Sequence, residues 1–295
     1  VYAGTEAEGA EAVIGIVFVL WGWSMGWGGD GVGNGNGKLI ASPFHMFGLD
    51  HVSHANYIFV LFQLTFAVIT AALISGSIAD RVKLSAWIVF IVGWVTLAYF
   101  PIAHNVWGGG WLYSKFPNLD YAGGTVVHIN AGVAGGILAL VIGRRVGFMK
   151  EPMKPHNLTL TMIGAGLLWF GWYGFNAGSA ISSGGVAAST FVTTTGATAT
   201  AMLAWLLVER IRDGHATTLG AASGIVAGLV AITPSCSSVN VLGALVVGFL
   251  GGAICALAVG LKFKFGFDDA LDVVGVHMVG GLTGTLLIGF LATPE

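Results

Sequence analysis

Charge is what this chain has least of. Of its 295 residues only 9% are Asp, Glu, Lys or Arg, and the formal net charge is −2. So little charge is a poor basis for a soluble globular domain, and without a basic cluster there is no case for nucleic acid. Cysteine is scarce too. Cys236 and Cys255 are the only two, and they make neither a metal-ligand spacing nor a readable disulfide. No GxxxxGK[ST] loop occurs, nor a GxGxxG turn opening a helix after a strand, so nucleotide binding is not expected. GxSxG and HExxH are missing, and no Ser or Cys has an obvious base partner in sequence. An intramembrane hydrolase is therefore the weakest reading, and the chain is not expected to be an enzyme or to need a cofactor. Residues 1–12 are small and acidic, without the basic n-region of a secretory signal.

Apolar sequence fills the space left by charge. The chain is 55% hydrophobic, holds 47 glycines, and has a mean hydropathy of +0.83. Apolar segments run at Val13–Trp27, then at about 57–79, 86–103, 121–143, 158–180, 186–208, 216–233, 239–261 and 272–292. Short connectors between them carry nearly all the charge. That pattern predicts an all-α, polytopic membrane protein with nine spanning helices, since barrel strands would alternate every second residue. Ten of the twelve Lys and Arg residues fall in one set of alternate connectors; only Lys38 and Lys115 fall in the other. The positive-inside rule puts the rich set in the cytoplasm, so the loops at 28–56 and 104–120 face outward. His45, His51 and His54 in the first of these read as residues of a solvated loop rather than metal ligands. No separate soluble domain is expected: residues 1–295 form one membrane domain.

One stretch organises the rest. Residues 120–145 (DYAGGTVVHINAGVAGGILALVIGRR) enter through Asp120 and leave through Arg144 and Arg145, with no formal charge from Tyr121 to Gly143. As a helix that run is roughly 34 Å long, enough to cross a hydrocarbon core. His128 then lies inside the membrane, where an ionisable group is a functional-site hypothesis by default. A second run, LDVVGVHMVGGLTGTLLIGFL, repeats the frame: Gly132 and Gly135 follow His128 at the offsets at which Gly281 and Gly284 follow His277. Those offsets set each histidine and its glycines along one helix face that another backbone can approach closely. Two such helices suggest an internal repeat with a site at the repeat interface. Burial disfavours the charged imidazolium, and two imidazoles within reach can share one proton, one donating and the other accepting. Asp120 is placed to cap the first histidine helix. Asp272, five residues before His277, is taken as its counterpart at the cytoplasmic end.

The run from Asp120 through His128 to Arg145 resembles the signature of the ammonium transporter family (Amt/Mep/Rh). PIAHNVWGGG (101–110), GWYGFNAGSA (171–180) and DVVGVHMVGG (272–281) resemble that family's other blocks, in its order and spacing, and the likeness covers about residues 57–292. It implies an inverted internal repeat with eleven spanning helices, so that the chain looks truncated at both ends, lacking the first and last. It further implies a channel-like transporter of the bacterial Amt type, multi-pass in the cell membrane and serving nitrogen uptake. Ammonium, ammonia or methylammonium would be its substrate. Trp107, Phe66 and Ser179 would form the external ammonium site, Phe66 and Phe175 would stack beneath it as a gate, and His128 and His277 would line the pore with Trp172. Asp120 would also serve recruitment or deprotonation. A homotrimer, and regulation by a PII-type protein at the cytoplasmic face, are implied in the same way. NH4+ and K+ are alike in size and charge, but only NH4+ donates hydrogen bonds and loses a proton, so a pore passing the neutral form would tell them apart. The alternative of another class is an ammonium sensor with the same fold and little flux. A channel for water, CO2 or urea is a third reading, weakened by the presence of Trp107 and Ser179.

Overall fold

The computed structural model describes residues 2–28, 39–117, 119–151 and 153–293. Lys38, Glu295 and the Gly/Asn-rich residues 29–38 lie outside the described residues, as do the side chains of the acidic residues before Gly9. Among the described residues the chain is helical, with no β-strand and one isolated antiparallel bridge between Val239 and Ala292. It divides into two compact units, Val1–Leu119 and Asp120–Glu295.

In the first unit, α1 (Tyr2–Val17) passes through a π-helical turn, Phe18–Gly22, into α2 (Trp23–Trp27). The apolar span expected from Val13 begins earlier, at Gly9. His45, His51 and His54 are exposed in the loop that follows, as a solvated loop requires. Then come α3 (Tyr57–Ile78), α4 (Leu84–Trp94), a second π-helical turn, Val95–Tyr99, α5 (Phe100–Val106) and α6 (Trp111–Lys115). Packing sets α1 on α3 and α4, and α2 on α5. An aromatic cluster holds the last pair: Trp23 and Trp27, one turn apart, stack at 5.1 Å, and Phe18 meets Phe100 edge-on at 5.9 Å. The connector read as 104–120 is shorter than expected. His104–Val106 stay helical, because the His104 carbonyl accepts N–H groups from both Gly108 and Gly110 and so closes the helix end further along.

The second unit opens with a π-helical turn, Gly124–Ile129, followed by α7 (Asn130–Ile142), α8 (Leu158–Asn176) and α9 (Gly185–Arg212). Next are α10 (Thr218–Ile232), α11 (Val241–Ala258), α12 (Leu261–Phe265), another π-helical turn, Val274–Met278, and α13 (Val279–Leu291). Side chains of Asn157, Thr217 and Asn240 accept backbone N–H groups at the starts of α8, α10 and α11, as N-caps do. Among the described residues eight helical stretches are long and apolar enough to cross a membrane; the ninth expected segment appears as α10, 15 residues long. At 1.5 Å per residue α10 is roughly 22 Å, short of the hydrocarbon thickness.

Two glycine pairs bind this unit together. Gly224 and Gly228 of α10, and Gly248 and Gly252 of α11, each one turn apart, press on the same stretch of α9. A Cβ at Gly228 would lie 2.6 Å from the Ala201 Cβ and 2.8 Å from the Thr198 Cα. One at Gly248 or Gly252 would overlap the carbonyl of Ala197 or Ala201. Here the glycine-rich composition does what small residues do between apolar helices: it replaces the missing hydrophobic drive with close backbone packing. On α8, by contrast, Gly164 and Gly171 have nothing among the described residues near the space a Cβ would take. Gly252→Val is therefore expected to lower stability by about 1–3 kcal/mol, the usual range for overpacking a tight site. Gly171→Ala should leave the melting midpoint of the detergent-solubilised protein unchanged or slightly raised, because Ala is the better helix former. Paired thermal melts followed by circular dichroism would show the difference.

Candidate functional site

Two carboxylates start the two histidine helices. Asp120 accepts N–H groups from Gly123 and Gly124 at one oxygen, both at 2.7 Å, and from Thr125 and Val126 at the other, at 2.6 and 3.0 Å. Four donors aimed at both oxygens suit an ionised carboxylate, since an acid would have to donate one proton itself. Burial pushes this carboxyl up from its usual range, and the four N–H groups oppose that push. Gly123, with φ at +119°, makes the turn into the helix, a backbone conformation open to glycine.

The counterpart at the second helix is Asp269, which corrects the expectation for Asp272. Asp269 stands eight residues before His277, as Asp120 does before His128. It accepts the N–H groups of Val273 at 3.1 Å and Val274 at 2.7 Å and is 1% exposed. Asp272 instead pairs with Lys262 Nζ at 2.7 Å, on backbone with φ at +62°. Burial lifts its carboxyl to about 6 against the pull of Lys262. Counting the offset back from His277 would have found Asp269. Lys262 also donates to the Asp269 carbonyl, and beside it Arg145 pairs with the buried Asp268 at 3.1 Å.

Between the two caps the histidines meet. His128 Nδ1 lies 3.2 Å from His277 Nδ1, so one ring donates and the other accepts. His128 is fully buried and His277 is 7% exposed. Each helix makes room for the other at the glycine four residues after its histidine. A Cβ at Gly132 would overlap Met278, and one at Gly281 would lie 3.2 Å from the His128 Cβ. Gly284 serves another contact, against the Ala231 carbonyl of α10. The expectation of glycine faces open to a neighbouring backbone is met, and it is met reciprocally.

Aromatic rings extend the pair. Trp172 lies parallel to His128 at 5.3 Å and 12°, and Phe175 lies 5.8 Å from His128 and 4.9 Å from Trp172. Ser179, one turn beyond, donates to the Phe175 carbonyl at 2.7 Å. The second unit thus brings together His128, His277, Trp172 and Phe175. In the first unit Phe66, 2% exposed, meets Trp107 edge-on at 5.4 Å. That contact joins two of the three residues expected at the outer site; Ser179 belongs to the other unit. Among the described residues, no group of three or more His, Cys, Asp or Glu is arranged to hold a metal ion.

The caps differ in what they hold, and their removal should differ accordingly. Asp120→Asn puts an amide NH2 against two of the N–H groups that now meet a carboxylate, and Asp269→Asn puts one against a single N–H. Each charge-assisted bond of this kind is worth about 1.5–3 kcal/mol. Both variants should melt below the parent, Asp120→Asn lowest, while Asp272→Asn should change the midpoint least; a thermal series in detergent would rank them.

Comparison with known proteins gives this geometry its setting. A sequence profile described as the Ammonium Transporter Family matches residues 10–295. An ammonium transporter of Mycobacterium bovis is 66% identical over 246 residues, 81% of this chain and 52% of that protein. The chain therefore spans about half the length of that relative. A crystal structure of Saccharomyces cerevisiae Mep2 is similar with a TM-score of 0.91 and 36% identity, covering 99% of this chain and 68% of that one. A solved structure called Sensor Amt Protein is similar with a TM-score of 0.86 and 28% identity, over 96% of this chain and 72% of the other. A profile matched over nearly the whole length, joined to a helical fold shared at that level, carries one conclusion: this chain belongs to the ammonium transporter family.

Proposed function

We propose that the complete protein is a channel-like ammonium transporter, recruiting NH4+ at an outer site and passing ammonia through an apolar pore lined by His128 and His277. The observation that carries this reading is the buried imidazole pair at 3.2 Å, stacked with Trp172 and Phe175. Four rings with no formal charge offer nothing fixed to hold Na+ or K+. Imidazole nitrogens can still accept a hydrogen bond from ammonia or pass on a proton. His128 Nε2 is buried and has no hydrogen-bond partner among the described residues, so a polar atom is left over for a passing molecule. NH4+ that gives up its proton can enter such a pore; K+ cannot follow.

In this reading Trp107 and Phe66 present ring faces to the arriving cation, an attraction of about 0.5–2 kcal/mol depending on desolvation. Ser179 supplies a hydroxyl oxygen, and Phe66 and Phe175 gate the entrance. Asp120 holds the backbone at the mouth and adds negative charge below the cation. Asp272, paired to Lys262, belongs to the opposite end. Family membership supports three further proposals: an internal inverted repeat, a homotrimer with one pore per subunit, and residence in the cell membrane. A PII-type regulator would engage the face rich in Lys and Arg.

Labelled methylammonium uptake, or ammonium-evoked current, in proteoliposomes holding the complete protein tests the reading. Saturable flux insensitive to K+ is expected. His128→Ala with His277→Ala should cut it by about tenfold or more, or let K+ compete, since tenfold corresponds to about 1.4 kcal/mol, the upper end for one hydrogen bond. Asp120→Asn should lower flux more than Asp269→Asn does. Similarity to a protein named a sensor favours one other reading: ammonium bound in a manner dependent on Trp107 and Ser179, without flux, would make this chain a receptor.

A further inference from the structure

Trp172 is held at its polar edge as closely as at its face. Its indole Nε1–H donates to Thr233 Oγ1 at 2.9 Å. Thr233 Oγ1 in turn lies 2.7 Å from the Leu229 carbonyl and 3.2 Å from Asn176 Oδ1. A hydroxyl has one proton, so it donates to one of these and keeps a lone pair for the indole. Asn176 Nδ2 donates onward to Thr194 Oγ1 at 3.1 Å. Thr233, Asn176 and Thr194 are all fully buried. The network joins α8, α9 and α10 around a single ring, and that ring lies within 12° of the His128 plane.

The turn after α10 touches the same site a second time. The Pro234 carbonyl accepts the Tyr121 N–H at 3.2 Å, and the Pro234 ring fills the space beside Gly124, where a Cβ would come within 2.5 Å of it. One turn therefore supports both the indole that covers His128 and the backbone leading into the His128 helix. The plain alternative is that Thr233 is ordinary interhelical glue, of the kind worth up to about 1–2 kcal/mol between membrane helices. Glue needs no particular partner. Here the hydroxyl satisfies the one polar atom of the ring stacked on the histidine, and a buried indole N–H requires such a partner.

We infer that Thr233, backed by Asn176 and Thr194, is a positioning residue that fixes the plane and depth of the Trp172 indole on His128. It thereby sets the rate at which the substrate passes the histidine pair, not its recruitment at the mouth. The statement about rate rests on the transport reading above; the statement about the indole does not. Three variants separate the two. Thr233→Val keeps the shape and removes the lone pair, Thr233→Ser keeps the hydroxyl, and Trp172→Phe keeps a ring and removes the N–H.

The ultraviolet resonance Raman difference between parent and Trp172→Phe isolates the indole N–H band of Trp172 among the ten tryptophans. Thr233→Val should move that band toward a free N–H, and Thr233→Ser should leave it in place. In methylammonium uptake, Thr233→Val should lower the maximal rate about fivefold, the factor for one hydrogen bond, with the half-saturating concentration within about twofold of the parent. Thr233→Ser should restore the rate, and the double variant Thr233→Val with Trp172→Phe should be no slower than Trp172→Phe alone. An unmoved band, an equal fall in both threonine variants, or additive losses in the double variant would each overturn the inference. If the parent itself carries no uptake, the transport reading fails, and the Raman band alone decides whether Thr233 holds the indole.

Discussion

Two side chains on different helices reach hydrogen-bonding distance only if the backbones come close first. His128 and His277 lie 3.2 Å apart because each helix offers a glycine, Gly132 or Gly281, where the other's backbone presses in. A larger residue at either position would run into Met278 or the Gly124 carbonyl and push the helices apart. The stacking of Trp172 and Phe175 depends on the same approach, since those rings cover a histidine whose place it fixes. The close crossing therefore comes before the chemistry: it is what allows two polar rings to satisfy one another in an apolar interior.

Both histidines also sit in π-helical turns, Gly124–Ile129 and Val274–Met278, near the starts of their helices. A wider turn leaves early N–H groups without their usual partners, and such turns gather at functional sites. Asp120 and Asp269 meet that need, one at each helix, eight residues before the histidine. Capping and function are not rival accounts of these carboxylates. The cap holds the irregular turn, and the turn aims the imidazole.

Much of this was legible beforehand. Segment positions followed from long apolar runs, and the match between the frames around His128 and His277 followed from simple offsets, because a helix converts spacing into a shared face. Asp269 was missed for an instructive reason. Asp272 lies nearer to His277 and looks like the start of the apolar run, whereas the offset of eight residues, carried over from Asp120 and His128, points to Asp269. The end of α5 was read too early because His104 continues the helix through carbonyl contacts to glycines, residues that usually signal a break. Thr233 carried no signal, and Asn176 stood within the block 171–180 with nothing to mark its role. Their roles exist only where three helices meet, and single-chain periodicity says nothing about that.

The squeeze of α9 between α10 and α11 has a mechanical consequence. Where Gly248 and Gly252 touch the Ala197 and Ala201 carbonyls, the contact is chiefly backbone on backbone, with the Thr200 hydroxyl beside it. Packed elements switch shape by trading one interdigitation of side chains for another, and this layer has little to trade. The three helices form a stiff plate rather than a hinge.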